Sequence, residues 1–259
     1  DPAPFMPELF QNIGTEARQV LRMRLLEEIE TCENPRGRID VARLLAQIGD
    51  TRIGNTTPMP GSGNMAAQTI MARRAGIYPV TNAEYALFVQ AQRYPAPQHW
   101  LNNNFRPAEA NYPVTNVSFK DAEAYCQWLS ETLGHRVYLP TDEEWTTLAA
   151  GSGSTPRFPW GNDLIVGYGN FRKDYGGPTP IGVFHEGKSA ISALDVIGNV
   201  WEWTATSSKD HHFMIVRGGA WDTMALDEGI ETRRLCNPLA CEPNVGLRVL
   251  HEMMNDYLD

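Results

Sequence analysis

The chain has 259 residues, enough for one large domain or two small ones with a proper hydrophobic core. Hydrophobic residues make up 42% and charged residues 20%, which excludes wholesale disorder, and 22 Gly with 18 Pro point to a fold of many turns and long loops rather than a helical bundle. A formal net charge of −9, with no cluster of Lys and Arg able to track a phosphate backbone, argues against nucleic acid as a partner.

In chain order, Asp1 to Phe10 lack the charged start and apolar run of a signal peptide, and an acidic start without Met suggests a fragment or processed piece, with a larger parent or a removed signal as the alternatives. Leu9, Ile13, Ala17, Val20, Leu21, Leu25 and Ile29 then recur at helical spacing. After Glu33-Asn34-Pro35-Arg36-Gly37, Asp40 is expected to cap a second helix carrying Val41, Leu44, Leu45 and Ile48 and ended by Gly49. Residues 1–51 thus read as a helical hairpin, an extension packed on the main domain or a surface for docking to the rest of a parent protein. Residues 52–259 read as that main domain. In it, Thr81 with Glu84, Ser118 with Asp121 and Thr141 with Glu144 are spaced as capping boxes, so a helix is expected after each. Beyond Gly151 about sixty residues show little periodicity, until Phe213 to Val216 and Val245 to Leu250 read as strands. No apolar run approaches the roughly 18 residues of a membrane helix, so insertion is not expected. Four Cys without a C-x-x-C pair favour a reducing, cytoplasmic compartment.

Several motifs recur in an order that carries a resemblance. Pro79-Val80-Thr81-Asn82, Leu139-Pro140-Thr141 with Glu144-Trp145, Pro159-Trp160-Gly161, Gly198-Asn199-Val200-Trp201-Glu202-Trp203, Arg217-Gly218-Gly219-Ala220-Trp221 and Gly246-Leu247-Arg248-Val249 resemble the formylglycine-generating enzyme (sulfatase-modifying factor) family over about residues 52–250. The resemblance implies an α+β, C-type-lectin-like fold low in regular secondary structure, preceded here by the helical hairpin. Catalytic members oxidise a substrate cysteine with two copper-bound cysteines just after the Gly-Gly segment. Here Thr223 stands at the first of these positions, and neither Thr nor Met224 can act as the copper-binding thiolate. A related branch that uses iron held by three His is also not matched, because the N-terminal helices contain no His.

The chain is therefore expected not to be an enzyme, and copper is not expected. The resemblance further implies structural calcium, with Asp195 and Glu202 binding through carboxylates and Gly198 and Val200 through backbone oxygens; the hard oxygen set within eight residues suits that ion. A second site would use Asn170 and the shifted Asp174. Across about residues 221–244, the family's exposed face, Trp221, Asp222, Thr223, Met224, Asp227, Glu228, Arg233, Leu235, Asn237, Glu242 and Asn244 form the expected ligand-binding surface, for a protein or peptide. Some relatives diversify this segment, so a variable protein is one form of that reading. The alternatives are a copper-dependent oxidoreductase that uses Cys236 and Cys241, and a structural or sensor domain of a larger bacterial signalling or defence protein.

Overall fold

A computed structural model describes residues 14–59, 71–224 and 229–254. Five helices take the labels α1 (Thr15–Thr31), α2 (Pro35–Ile48), α3 (Asn82–Gln92), α4 (Phe119–Leu133) and α5 (Asp142–Ala150). Leu9 and Ile13, expected at the start of the first helix, lie outside the described residues. In α1, Leu21, Leu25, Leu26 and Ile29 pack on Ile39, Ala42, Leu45 and Ile48 of α2, and Val183 and Phe184 close the same cluster. The second helix begins earlier than expected. Asn34, not Asp40, caps it by accepting the Arg36 N–H at 3.0 Å, and Pro35 occupies the first turn. Proline is well placed there, since the N–H it lacks has no helical partner anyway.

The hairpin is fastened to the main domain by buried polar groups. Arg38 donates to the carbonyl of Val183 at 2.7 Å and to Glu186 at 2.9 Å, and Asn111 donates to the carbonyl of Ala42 at 2.9 Å. The three capping boxes are formed as their spacing predicts: the N–H groups of Thr81, Ser118 and Thr141 donate to Glu84, Asp121 and Glu144 at 2.8, 2.8 and 2.9 Å. Gly151 ends α5 in the left-handed region of φ.

Eight short strands follow one another as β1 (Thr56–Pro58), β2 (Met71–Gly76), β3 (Arg136–Tyr138), β4 (Trp201–Ser207), β5 (Met214–Arg217), β6 (Arg233–Cys236), β7 (Val245–Gly246) and β8 (Leu250–Met254). They form two four-stranded sheets, ordered β1-β2-β8-β3 and β6-β5-β4-β7. The first is antiparallel throughout, whereas β7 runs parallel to β4 in the second. The expected strand over Val245 to Leu250 is thus two strands. The chain leaves one sheet after Gly246, crosses through Leu247, Arg248 and Val249, and enters the other at Leu250.

The larger core joins Tyr85, Phe88 and Val89 of α3, Tyr125 and Cys126 of α4, and Trp201 and Trp203 of β4. Trp100, which sits in a polar stretch of sequence, is buried in this core, with its ring 5.2 Å from Phe105 and 6.3 Å from Tyr85. A second core gathers Trp145, Leu148, Phe158, Val196 and Ile197. Residues 151–200 contain a single short 3-10 turn and are tied by side chains bonded to backbone. Asn199 accepts the Thr179 N–H at 2.8 Å, and Asn170 donates to the carbonyl of Gly177 at 2.9 Å. Gly198 is required beside them: its φ is +84°, and a Cβ would lie 2.3 Å from the Asn170 oxygen.

Arg38→Ala removes the buried donor from Val183 and Glu186, and is expected to lower stability by about 2–4 kcal/mol in urea unfolding. Asp40→Ala is expected to change it by less than about 0.5 kcal/mol, because the exposed Asp40 is not the cap.

Candidate functional site

Glu202 sits on β4, and both of its oxygens are engaged. The fully buried Arg248 donates to it from Nε and Nη2 at 2.7–3.1 Å, and Trp145 Nε1 donates at 2.8 Å. Asp195, the other carboxylate expected to hold calcium, accepts the Gly182 N–H at 2.7 Å through one oxygen; its other oxygen is buried with no hydrogen-bond partner. Burial pushes the Asp195 carboxyl up to about 6, against the pull of the Gly182 N–H, Arg248 and Arg52. The loop from Asp195 through Gly198 and Val200 to Glu202 therefore does not offer two free carboxylates to one cation: the positive charge facing Glu202 is a guanidinium. Asn170 is buried, whereas Asp174 is exposed and its carbonyl accepts from Arg36 at 3.3 Å, so the second expected pair is not brought together as one cage. Among the described residues, no three His, Cys, Asp or Glu side chains are grouped to hold a metal.

The expected ligand surface divides. One part converges into a connected set. Asn244 donates to both oxygens of Asp222 at 3.0 and 3.1 Å, and its carbonyl accepts the Trp201 N–H at 2.8 Å. The guanidinium of Arg234 lies 5.0 Å from the centre of the Trp201 ring and pairs with Glu242 at 3.1 Å. Cys236 donates to Glu242 at 3.2 Å. Trp221 and Thr223 complete this face through backbone contacts, their carbonyls accepting the N–H groups of Lys173 and Arg172 at 2.7 and 2.9 Å. Buried polar atoms without partners gather on the same face: Trp221 Nε1, Asn244 Oδ1, and Arg234 Nε and Nη2.

The other part points elsewhere. Arg233 turns to Asp142 at 2.9 Å and to Glu231 at 3.1 Å, because alternation along β6 puts Arg233 and Leu235 on one side and Arg234 and Cys236 on the other. Met224 and Leu235 are exposed, and Asn237 is spent on a local turn, accepting the Leu239 N–H at 2.9 Å. Asp227 and Glu228 lie outside the described residues. Sequence reasoning missed Arg234 and the ligand-side role of Trp201; the period-two pattern of β6 is the signal that would have found Arg234.

Cys236 and Cys241 are both free thiols, one buried and one exposed. The Cys236 thiol is pushed up to about 12 by burial and by Glu242, with Arg234 opposing, so it keeps its proton at neutral pH. The pair supplies no ready thiolate.

This arrangement, two small sheets closed by a terminal strand with long loops held over one face, is the mixed α+β, C-type-lectin-like fold of sulfatase-modifying factors. Residues 43–253 match the sulfatase-modifying factor enzyme 1-like domain, and the chain belongs to that family. It is 26% identical to the inactive C-alpha-formylglycine-generating enzyme 2 of Bos taurus, over 77% of this chain and 84% of that one. It is 28% identical to the hercynine oxygenase of Mycobacterium tuberculosis over 59% of this chain, spanning 46% of that relative, and 28% identical to the formylglycine-generating enzyme of the same organism over 63% of this chain and 73% of that one. Among solved structures, PvdO from Pseudomonas aeruginosa superposes with a TM-score of 0.60 at 21% identity, covering 77% of this chain and 91% of that one, and shares the fold.

These relatives correct the expectation that the chain is not an enzyme. Hercynine oxygenase and formylglycine-generating enzyme are enzymes, so an enzyme family is indicated, even though one relative is named inactive. The relatives of this family carry more than one chemistry, oxygenation of hercynine and generation of formylglycine among them by their names.

The high Asp195 pKa yields a pH signature. Its folded-state value, about 6, lies above the unfolded value near 4, so its contribution to stability is fully present below the unfolded value and is lost as pH rises through 6. The stability difference between the wild-type chain and Asp195→Asn is expected to shift by roughly 2 kcal/mol between pH 4 and pH 7, in favour of the wild type at the acid end. Urea unfolding across that range measures it, and parallel curves would refute it.

Proposed function

We propose that this domain of the sulfatase-modifying factor family binds a protein or peptide ligand on the face formed by Trp201, Trp221, Asp222, Arg234, Glu242 and Asn244. One observation carries the reading: Asp222 is linked to Asn244, Asn244 to Trp201 and Arg234 to Glu242, yet buried donors and an acceptor remain unpaired beside them among the described residues. Leaving such groups unpaired costs roughly 1–3 kcal/mol each, a cost that a ligand supplying the missing partners removes. Aromatic rings beside an arginine form the combination most often responsible for binding energy at interfaces. An extended peptide suits the mixture, because its amides offer donors and acceptors together.

Thr223 is a neighbour of this face, and its hydroxyl accepts the Ala220 N–H at 3.0 Å. It holds the turn that presents Trp221 and Asp222, so any reaction at this face proceeds without a thiolate at residue 223. The four free thiols suit a reducing compartment, which supports a cytoplasmic location.

The test is selection of peptides from a random display library on the full chain, followed by titration against Trp221→Ala and Asn244→Ala. Loss of at least about tenfold in affinity in each variant, with the native fold retained by circular dichroism, is expected. Selected peptides that bind both variants as tightly as the wild-type chain would show that the ligand sits elsewhere.

A further inference from the structure

Three arginines of this molecule can be compared by what their side-on edge, Nε with Nη2, is doing. In Arg248 that edge grips Glu202 at 2.7–3.1 Å, and in Arg52 it grips Asp50 at 2.6–3.3 Å. In Arg234 the same two nitrogens are buried and have no oxygen partner among the described residues, while Nη1 pairs with Glu242. The guanidinium carbon lies over the Trp201 ring, 5.0 Å from its centre. A guanidinium whose two-donor fork is unpaired matches the planar two-oxygen geometry of a carboxylate.

A second observation, on the backbone, points the same way. Arg172 and Lys173 are consecutive non-glycine residues with φ of 62° and 60°. Each costs on the order of 1–2 kcal/mol in that region. They are held there by donating their N–H groups to the carbonyls of Thr223 and Trp221, which sets two exposed cations on the rim beside Trp221. Neither side chain makes a hydrogen bond or ion pair among the described residues. In a chain of net charge −9, Arg172, Lys173 and Arg234 bring three cations to a face whose own carboxylates, Asp222 and Glu242, are engaged by Asn244 and by Arg234 Nη1.

We propose that the ligand of this face presents a carboxylate, gripped side-on by Arg234 Nε and Nη2, with Arg172 and Lys173 attracting it from the rim. The proposal rests on the ligand-face reading above and names the group recognised there. A peptide provides that group either at its C-terminus or on an Asp or Glu side chain. The acid function is bound, not transformed, so no bond is made or broken.

The experiment is an NMR titration of the full chain, following the Trp221 indole N–H and the Arg234 Nε–H. Four probes are used: N-acetyl-alanine, N-acetyl-glutamic acid α-amide, N-acetyl-alaninamide and inorganic phosphate. Saturable shifts with one or both acids, and none with the alaninamide, are expected; the tighter acid tells which source of carboxylate the face takes. Arg234→Lys keeps the charge but loses the fork, and is expected to weaken the acids by at least tenfold. Because that change touches the Glu242 pair, the exposed double variant Arg172→Gln/Lys173→Gln provides a second reading, a severalfold loss that disappears at high salt. Equal shifts with acid and amide, tighter binding of phosphate, or no shift at all would overturn the proposal. Display-selected peptides distinguish the two readings. If they depend on Trp221 but bind equally well with every carboxylate amidated, the face stands and the carboxylate fails; if they bind the Trp221→Ala variant unchanged, the face itself fails.

Discussion

The two sheets are held together by one ion pair that no water reaches. Arg248 lies on the crossing between β7 and β8, and Glu202 lies on β4 of the other sheet. Beyond the carboxylate, Arg248 donates to the carbonyls of Gly76, Ile77 and Leu194 at 2.6–3.0 Å, so a single guanidinium ties the end of β2, the loop before Asp195 and the central strand of the second sheet. Both side chains are fully buried. A buried charge pair of this kind contributes little net stability compared with apolar packing, but losing one partner leaves the other uncompensated. Its role is positional: it fixes where the chain can pass from sheet to sheet.

The face proposed for the ligand inherits its geometry from that crossing. Asn244 precedes β7 directly, and its carbonyl accepts from Trp201 at the start of β4, so the parallel pairing of β7 with β4 carries Asn244 to Asp222 and Trp201 to Arg234. The segment before it is anchored from the far side, where Asn116 donates its N–H to Glu242 and Phe119 donates to Pro238. The rigid parts of the domain thus set the backbone of the face, while its side chains are free to differ. In this chain the constraint falls on Glu202, Arg248 and the glycines that approach backbone.

The helical parts were legible because their signals are local. Each capping box is a matter of residues three apart, and all three are formed where the spacing put them. The short strands were largely hidden. Trp201 to Thr204 are all buried, so β4 shows no alternation, and β6 mixes two arginines with Leu235 and Cys236. Missing β6 led the surface reading to Arg233 instead of Arg234, one residue away and on the opposite face. Asp195 and Glu202 looked like a pair of cation ligands because their spacing in the chain says nothing about an arginine 46 positions downstream of Glu202.

The sequence by itself determined the family, the α+β character of the fold, the starts of the three helices with capping boxes and the absence of a cysteine at residue 223, since these depend on residue identity and short-range spacing. Only the tertiary structure decided which groups are spent and which are left over: that Glu202 belongs to Arg248, that Asn244 belongs to Asp222, and that the fork of Arg234 is unpaired among the described residues. The physical reason is that a hydrogen bond is satisfied by distance in space. In a fold where fifty residues run with almost no regular structure, distance along the chain does not predict it.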